Sequence, residues 1–147
     1  MKKLLPIIIS LLALQNTFAL NQNEPTACPS VSSLASVGVD SPFRADGSWN
    51  VSKQSNNYGT PQLWTFVFMT GLDVDDVTSE QATVQANANI SKLMFPEGPV
   101  DLGDDGIAEW WCAYRSENGS YDGVALTPPK QLPDQMSIVK KYLTKHS

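Results

Sequence analysis

The stretch LWTFVFM, residues 63–69, is the most apolar segment of the chain outside its N-terminal region. It is rich in aromatic and β-branched residues, and Gly71 follows it closely. Such a composition with such an end is typical of a strand buried inside a sheet. The segment therefore predicts the central strand of the domain, around which the other elements are placed.

Two elements are predicted before this strand. Residues 28–30, Cys-Pro-Ser, are typical of a helix start because proline fits the first turn, and Gly38 is a suitable stop. A turn is indicated by the Asp-Gly pair at residues 46–47. It precedes residues 49–54, where the alternation of Trp and Val with polar side chains predicts a half-buried strand.

The helix after the central strand has a defined start. Thr78 is followed three residues later by Gln81, which is the spacing of a capping box. Apolar residues then recur at helical spacing up to a break at Pro96. These residues are Ala82, Ala86, Ile90, Leu93 and Met94. The Pro-, Gly- and Asp-rich residues 96–106 are predicted to form a loop.

The rest of the chain predicts a hairpin and a last helix. Residues 107–115 and 121–127 are predicted strands, and the Asn-Gly pair at 118–119 between them is the strongest hairpin signal in the sequence. Pro133 opens the helix. Its apolar face comprises Met136, Val139, Tyr142 and Leu143, with Lys140, Lys141 and Lys145 largely off that face.

The predicted element order is therefore α-β-β-α-β-β-α. The simplest architecture with this order is an α+β domain, in which a small antiparallel sheet of about four strands has helices packed on it.

The N-terminus has the order of a secretory signal peptide. Lys2 and Lys3 precede an apolar run over residues 4–14, and residues 17–19, Thr-Phe-Ala, place small residues at the −3 and −1 positions of a cleavage site. The run is about 11 residues long, too short to cross a ~30 Å hydrocarbon core as a helix. We therefore predict a protein that is secreted to the periplasm or the extracellular medium.

This leader divides the chain into three parts. Residues 1–19 are the predicted signal peptide, residues 20–27 a flexible polar segment, and residues 28–147 a single domain. A lipoprotein leader is the weaker alternative, since Cys28 lies far beyond the apolar run. No later apolar stretch approaches membrane length, so we predict no transmembrane segment after leader removal.

The net charge of the chain limits the classes of partner that we expect it to bind. Loss of Lys2 and Lys3 with the leader changes the formal net charge from −5 to −7. A nucleic-acid-binding domain usually carries a basic patch, which the body of this domain lacks, so nucleic acid is not an expected partner. We expect a monomer whose partner is a small ligand or an envelope or host protein.

Two cysteines are present, Cys28 and Cys112. In an oxidising compartment two cysteines usually pair. The resulting bridge would close a loop of about 85 residues and stabilise the fold by roughly 4–5 kcal/mol. A redox pair is the alternative, but the sequence has no Cys-x-x-Cys motif that would lower the pKa of a thiol.

Catalytic chemistry has few candidates in this chain. The one histidine, His146, is next to last, which argues against histidine-dependent nucleophilic sites and zinc sites. Asp101, Asp104, Asp105 and Glu109 cluster near two tryptophans, as carboxylates do in enzymes that cleave glycans. The same acids suit an ordinary solvated turn, which we favour. We predict no catalytic residue and no metal site.

The aromatic residues are the most unusual feature of the sequence. Trp110 and Trp111 are consecutive in a predicted strand, so their side chains should point to opposite faces of the sheet. One can lie in the core, and the other must then meet a helix, a partner or a flat ligand. The candidate ligand-binding residues are Tyr58, Trp110, Trp111, Tyr114, Arg115 and Tyr121.

The positions of these residues resemble those of a protein family. Cys28-Pro29 follows soon after the leader, Trp49 and Trp64 lie in successive predicted strands, and a late predicted strand contains Cys-Ala-Tyr at 112–114. In these features the chain resembles small secreted bacterial proteins of unknown function, some of whose relatives are labelled hemin-binding. The resemblance implies the same disulfide and supplies no catalytic residue.

Hemin is the one cofactor that this resemblance suggests. Haem iron is held by His, Met, Cys or Tyr, and the candidates here are Tyr58, Tyr114, Tyr121 and Met136. The sequence thus predicts a secreted, non-enzymatic binding protein of unknown activity. The alternatives are a hemin-binding protein and a carboxylate-dependent hydrolase that acts on glycans.

Overall fold

The computed structural model of the chain describes residues 24–101, 110–118 and 121–129. The predicted leader, the first half of the segment at 20–27 and the predicted last helix lie outside these residues. Two helices are described, α1 (Val31–Val37) and α2 (Ser79–Ile90). The strands are β1 (Ser41–Ala45), β2 (Ser48–Ser55), β3 (Trp64–Asp73), β4 (Glu97–Asp101), β5 (Trp110–Arg115) and β6 (Tyr121–Thr127).

All six strands belong to one sheet in the order β1-β2-β3-β6-β5-β4, and all neighbours are antiparallel. The prediction of about four strands in the order α-β-β-α-β-β-α is therefore wrong. The described order is α-β-β-β-α-β-β-β. Strand β3, predicted from residues 63–69, lies in the middle of the sheet between β2 and β6.

Both of the strands that sequence analysis missed are edge strands that contain proline. Pro42 lies in β1, and Pro99 lies in β4, within the segment predicted to be a loop. Proline cannot donate a ladder hydrogen bond, so it weakens a strand signal and is tolerated mainly at sheet edges. A register shift between Glu97 and Val100 further interrupts β4. These features also discourage edge-to-edge association with another chain.

One side of the sheet, here called the first face, carries both helices. Trp64, Phe66 and Phe68 alternate along β3 and point to this side, where they pack in one cluster with Leu34 of α1 and Ile90 of α2. The alternation of β3 thus places its three large rings under the helices.

The opposite side, here called the second face, has its own apolar cluster. Val67 of β3, Trp111 of β5, and Val124 and Leu126 of β6 are all buried there. Phe43, Met69 and Val100 pack around them. The sheet is therefore apolar on both faces.

Helix α2 begins as the sequence predicts. The Thr78 hydroxyl accepts a hydrogen bond from the Gln81 backbone N–H, and the Gln81 side chain accepts one from the Thr78 N–H, which completes the capping box. Asn87 then fixes the helix to the chain before β1: its amide accepts from the Val39 N–H at 2.9 Å and donates to the Val39 carbonyl at 2.8 Å. Met94 departs from the predicted apolar face, since it is 51% exposed.

The predicted disulfide is present. Cys28 and Cys112 are bonded, with their Cα atoms 5.9 Å apart. The bond joins the residues just before α1 to β5, where Cys112 is buried in the first-face cluster. The predicted stop of α1 is also confirmed, because Gly38 has a φ of 70° and its N–H donates to the Leu34 carbonyl.

No helix among the residues that the structure describes is long and apolar enough to cross a membrane.

Candidate functional site

Two of the predicted ligand-binding residues, Tyr58 and Tyr114, are fully buried in the first-face core. The Tyr58 hydroxyl donates to the Lys53 carbonyl at 3.2 Å, and the Tyr114 hydroxyl donates to the Pro29 carbonyl at 2.7 Å. Both rings make edge-to-face contacts with Phe66. Their hydroxyls are therefore engaged inside the protein and do not face a ligand.

This environment changes the acidity of both phenols. Burial raises the pKa of Tyr58 well above its ordinary value, and the nearby negative charge of Asp40 raises it further. Burial likewise raises the pKa of Tyr114, with a smaller contribution from Tyr58. Ionisation of either phenol is thus much easier in the unfolded chain than in the folded one.

We expect these phenols to set the alkaline limit of stability. A raised pKa in the folded state stabilises the protein fully below the unfolded pKa of about 10, and this stability is lost as pH rises toward the folded pKa. The loss should be about 1.4 kcal/mol per pH unit for each phenol. Urea unfolding between pH 8 and about 12 measures it.

The matched variant for this titration is Tyr114→Phe. This substitution should lower the free energy of unfolding by about 1 kcal/mol at pH 8, because the hydrogen bond to the Pro29 carbonyl is lost. Above pH ~10 its stability should fall less steeply than that of the wild type. Equal slopes for the two proteins would contradict a buried, protonated Tyr114.

The two consecutive tryptophans occupy different environments, as the alternation of a strand requires. Trp111 is fully buried in the second-face cluster. Trp110 is half-buried and, by the same alternation, shares the first face with Cys112. Its indole N–H is shielded from solvent and has no hydrogen-bond acceptor among the described residues.

Arg115 and Tyr121 complete the predicted set at one end of the β5–β6 hairpin. The Arg115 side chain donates to the Glu97 carboxylate at 2.8 Å, and its carbonyl accepts from the Met94 N–H. Tyr121 pairs with Arg115 through the backbone. The five predicted residues whose side chains are described therefore do not converge on one site, because they are divided between two faces and one sheet end.

The acidic residues considered for catalysis are only partly described. Asp101 ends β4 and pairs with Trp110 through the backbone, whereas Asp104, Asp105 and Glu109 lie outside the described residues. Within the described ranges no group of three or more His, Cys, Asp or Glu side chains could hold a metal ion.

A different site is formed by a cleft between α2, the end of β3 and the β5–β6 turn. Its volume is about 430 Å³. Its apolar part is contributed by Phe68, Met69 and Leu93, of which Phe68 and Leu93 belong to the first-face core. The polar residues that line it are Thr70, Gln85, Asn89, Lys92, Ser116, Asn118 and Asp122.

Several cleft residues are held in place by local hydrogen bonds. The Thr70 hydroxyl donates to the Trp49 carbonyl at 2.6 Å, and the Asn89 amide donates to the Gln85 carbonyl at 2.8 Å. Ser116 and Asn118 are hydrogen-bonded to one another. The cleft wall is therefore ordered by hydrogen bonds within the protein.

Lys92 is the cation of this cleft, and its surroundings differ from those of the other described cations. Lys53 forms an ion pair with Asp40, Arg115 pairs with Glu97, and Arg44 lies 5.0 Å above the Trp49 ring. Among the described residues, Lys92 has neither an ion pair nor an aromatic contact.

The cleft has no signature in the sequence. Its residues come from three separate segments, and none of them forms a recognisable motif. The helical pattern of α2 defines its buried side, and polar residues on its other side are indistinguishable in sequence from an ordinary solvated surface. Comparison with protein-family models, with curated proteins and with solved structures found no match for this chain.

Proposed function

We propose that the chain is an exported, non-enzymatic binding protein whose cleft takes a small hydroxylated anion. The observation that carries this proposal is the position of Lys92 in a cleft whose polar lining otherwise consists of amides, hydroxyls and the Asp122 carboxylate. Sugar acids and sugar phosphates are molecules of this chemical class.

The anionic part of the ligand follows from Lys92. An ammonium group without a carboxylate partner among the described residues can offer all three of its donors to a bound carboxylate or phosphate. The chain has a formal net charge of −5, so a local cation is needed to offset its repulsion of an anion.

The hydroxylated part follows from the remaining lining. Amide side chains such as Gln85 and Asn89 both donate and accept hydrogen bonds, and the Asp122 carboxylate accepts several. These groups therefore suit the hydroxyls of a ligand, which also both donate and accept hydrogen bonds. The cleft volume lies toward the small end of the range for ligand sites, about 300–1,000 Å³, which favours a ligand the size of a monosaccharide.

Export is supported by two independent features. The N-terminal order of charge, apolar run and small residues is that of a signal peptide, and the Cys28–Cys112 bond is a modification of oxidising compartments. Export of the chain would place the cleft where extracytoplasmic small molecules are available.

The test uses mature protein and a defined set of probes: glucuronate, glucose 6-phosphate, succinate and neutral glucose. Thermal shift followed by calorimetry should show binding of at least one hydroxylated anion and weaker binding of glucose. Lys92→Gln should weaken this binding about tenfold or more, because a charge-assisted hydrogen bond is lost.

The matched control is Lys53→Gln, which removes a cation that is paired with Asp40 outside the cleft. It should leave the affinity unchanged. The proposal fails if no probe binds, if glucose binds as well as the anions, or if both lysine variants behave alike. A preference between glucuronate and glucose 6-phosphate identifies the anionic group.

Hemin is tested separately, by titration of the mature protein and measurement of the Soret band. Because Tyr58 and Tyr114 are engaged in the core, Tyr121 and Met136 are the candidate iron ligands to replace. A saturable Soret shift that is lost in Tyr121→Phe or Met136→Leu would favour hemin over a hydroxylated anion.

A further inference from the structure

We propose that the C-terminal segment, residues 130–147, packs as an amphipathic helix on the second face of the sheet. Its apolar residues would contact the cluster formed by Val67, Trp111, Val124 and Leu126. This proposal does not depend on the cleft or on its ligand.

The second face is buried although no described helix lies on it. Val67, Trp111 and Val124 have no exposed surface. Neighbouring strands lie beside these side chains and do not cover them from above, since side chains stand perpendicular to the sheet. Both described helices contribute instead to the first-face cluster. All described residues in the second-face cluster belong to the strands themselves, so we assign its cover to a segment outside the described residues.

The C-terminal segment begins close to the second face. Strand β6 lies in the interior of the sheet, contributes Val124 and Leu126 to the second face, and ends at Thr127. The 18 residues from 130 to 147 follow almost directly. The helix that is predicted to open at Pro133 would have about 15 residues up to Ser147 and a length of about 22 Å, which is close to the width of about 24 Å across six strands spaced about 4.8 Å apart.

The sequence of the segment has an amphipathic pattern. Met136, Val139, Tyr142 and Leu143 fall on one helical face, and Lys140, Lys141 and Lys145 fall largely off it. With the apolar face on the sheet, the lysines would point toward water. The segment thus has an apolar stripe for the second face and a solvated side for the surface.

Other parts of the chain fit this position less well. The apolar run at 4–14 belongs to the predicted leader, which export removes. Residues 102–109 connect β4 to β5, so both of their ends are fixed at one edge of the sheet. They would have to reach across β5 and β6 to cover Val67 on β3.

The experiment places a photoreactive benzophenone amino acid at Tyr142 of the mature full-length protein. Irradiation followed by peptide mass spectrometry should give intramolecular cross-links to β3, β5 or β6, at or next to Val67, Trp111 or Val124. The matched control carries the same group at Lys141, on the other side of the predicted helix, and should give at least about fivefold fewer of these cross-links.

Each other outcome overturns the proposal. Cross-links from position 142 to α1 or α2 would place the segment on the first face. Cross-linked dimers would show that a second copy covers the second face. Equal yields from positions 141 and 142, or no cross-links to the sheet, would show that the segment is not docked through its apolar side.

Discussion

Replacement of both cysteines in the variant Cys28→Ala/Cys112→Ala should lower the free energy of unfolding by roughly 4–5 kcal/mol. The bond joins residues 84 positions apart, so its loss releases a long closed loop in the unfolded chain. Domains of this size are stable by only about 5–15 kcal/mol. The variant is therefore expected to lie close to unfolding at 37 °C, and urea titration followed by circular dichroism measures the change.

The effect should be concentrated in the N-terminal part of the domain. Helix α1 has seven residues, too few to persist without tertiary contacts. Besides the packing of Leu34, the disulfide and the Tyr114–Pro29 hydrogen bond attach it to the sheet. Hydrogen exchange in α1 should therefore accelerate more than exchange in β3.

Reduction of the wild type provides the control. A phosphine reductant should shift its urea midpoint to that of the double variant, and the double variant should not respond to the reductant. If the reduced wild type kept its midpoint, or if the double variant lost less than about 1 kcal/mol, the bond would not be a main determinant of stability.

The elements that sequence predicted correctly are those with strong local signals. Residues 63–69 combine buried apolar character with β-branched and aromatic residues, and Thr78 with Gln81 defines a helix start through two specific hydrogen bonds. Both depend on interactions within a few residues, so sequence spacing is sufficient to find them.

Strand β1 was missed although a signal for it is present. Asp46 and Gly47 both have positive φ values, 53° and 76°, and they connect β1 to β2 as a tight hairpin. An Asp-Gly pair is typical of the turn that such hairpins use, so a strand on each side could have been predicted. The strand signal of residues 41–45 is weak because the strand contains Pro42, is short and is largely exposed.

The cleft could not be predicted because it depends on the sheet order. Strand β6 inserts between β3 and β5, and this insertion brings the hairpin turn at residues 116–118 close to the end of α2. No local pattern determines which strand enters the middle of an antiparallel sheet. The role proposed for Lys92 could be inferred only after the partners of the other described cations were known.

The second large effect is expected at Phe66, where Phe66→Ala should cost about 3–5 kcal/mol of unfolding free energy. The ring is fully buried on β3 and makes edge-to-face contacts with Tyr58 and Tyr114, at centroid distances of 6.5 and 5.7 Å. Aromatic pairs contribute about 0.5–1.5 kcal/mol beyond the burial of their surface. Urea unfolding at pH 8 measures the total loss.

The residues packed around Phe66 have little room to move into the cavity that Phe66→Ala would create. Gly123 on β6 leaves room for the ring: a Cβ added there would lie 3.0 Å from Phe66 Cε2. Gly123→Ala alone should therefore crowd the wild-type core and cost about 1 kcal/mol or more. In the Phe66→Ala background the added methyl has space, so the double variant should be more stable than the sum of the two single changes implies.

Phe95→Ala is the matched control, because it removes the same side chain from a position that is 93% exposed. Its free energy of unfolding should stay within about 0.5 kcal/mol of the wild type. Equal losses at Phe66 and Phe95 would contradict the burial of Phe66 between the two tyrosines. The Phe66 ring contacts both buried phenols and lies against Gly123 of β6. A large loss at Phe66 alone would identify this ring as a main contributor to the stability of the first-face core.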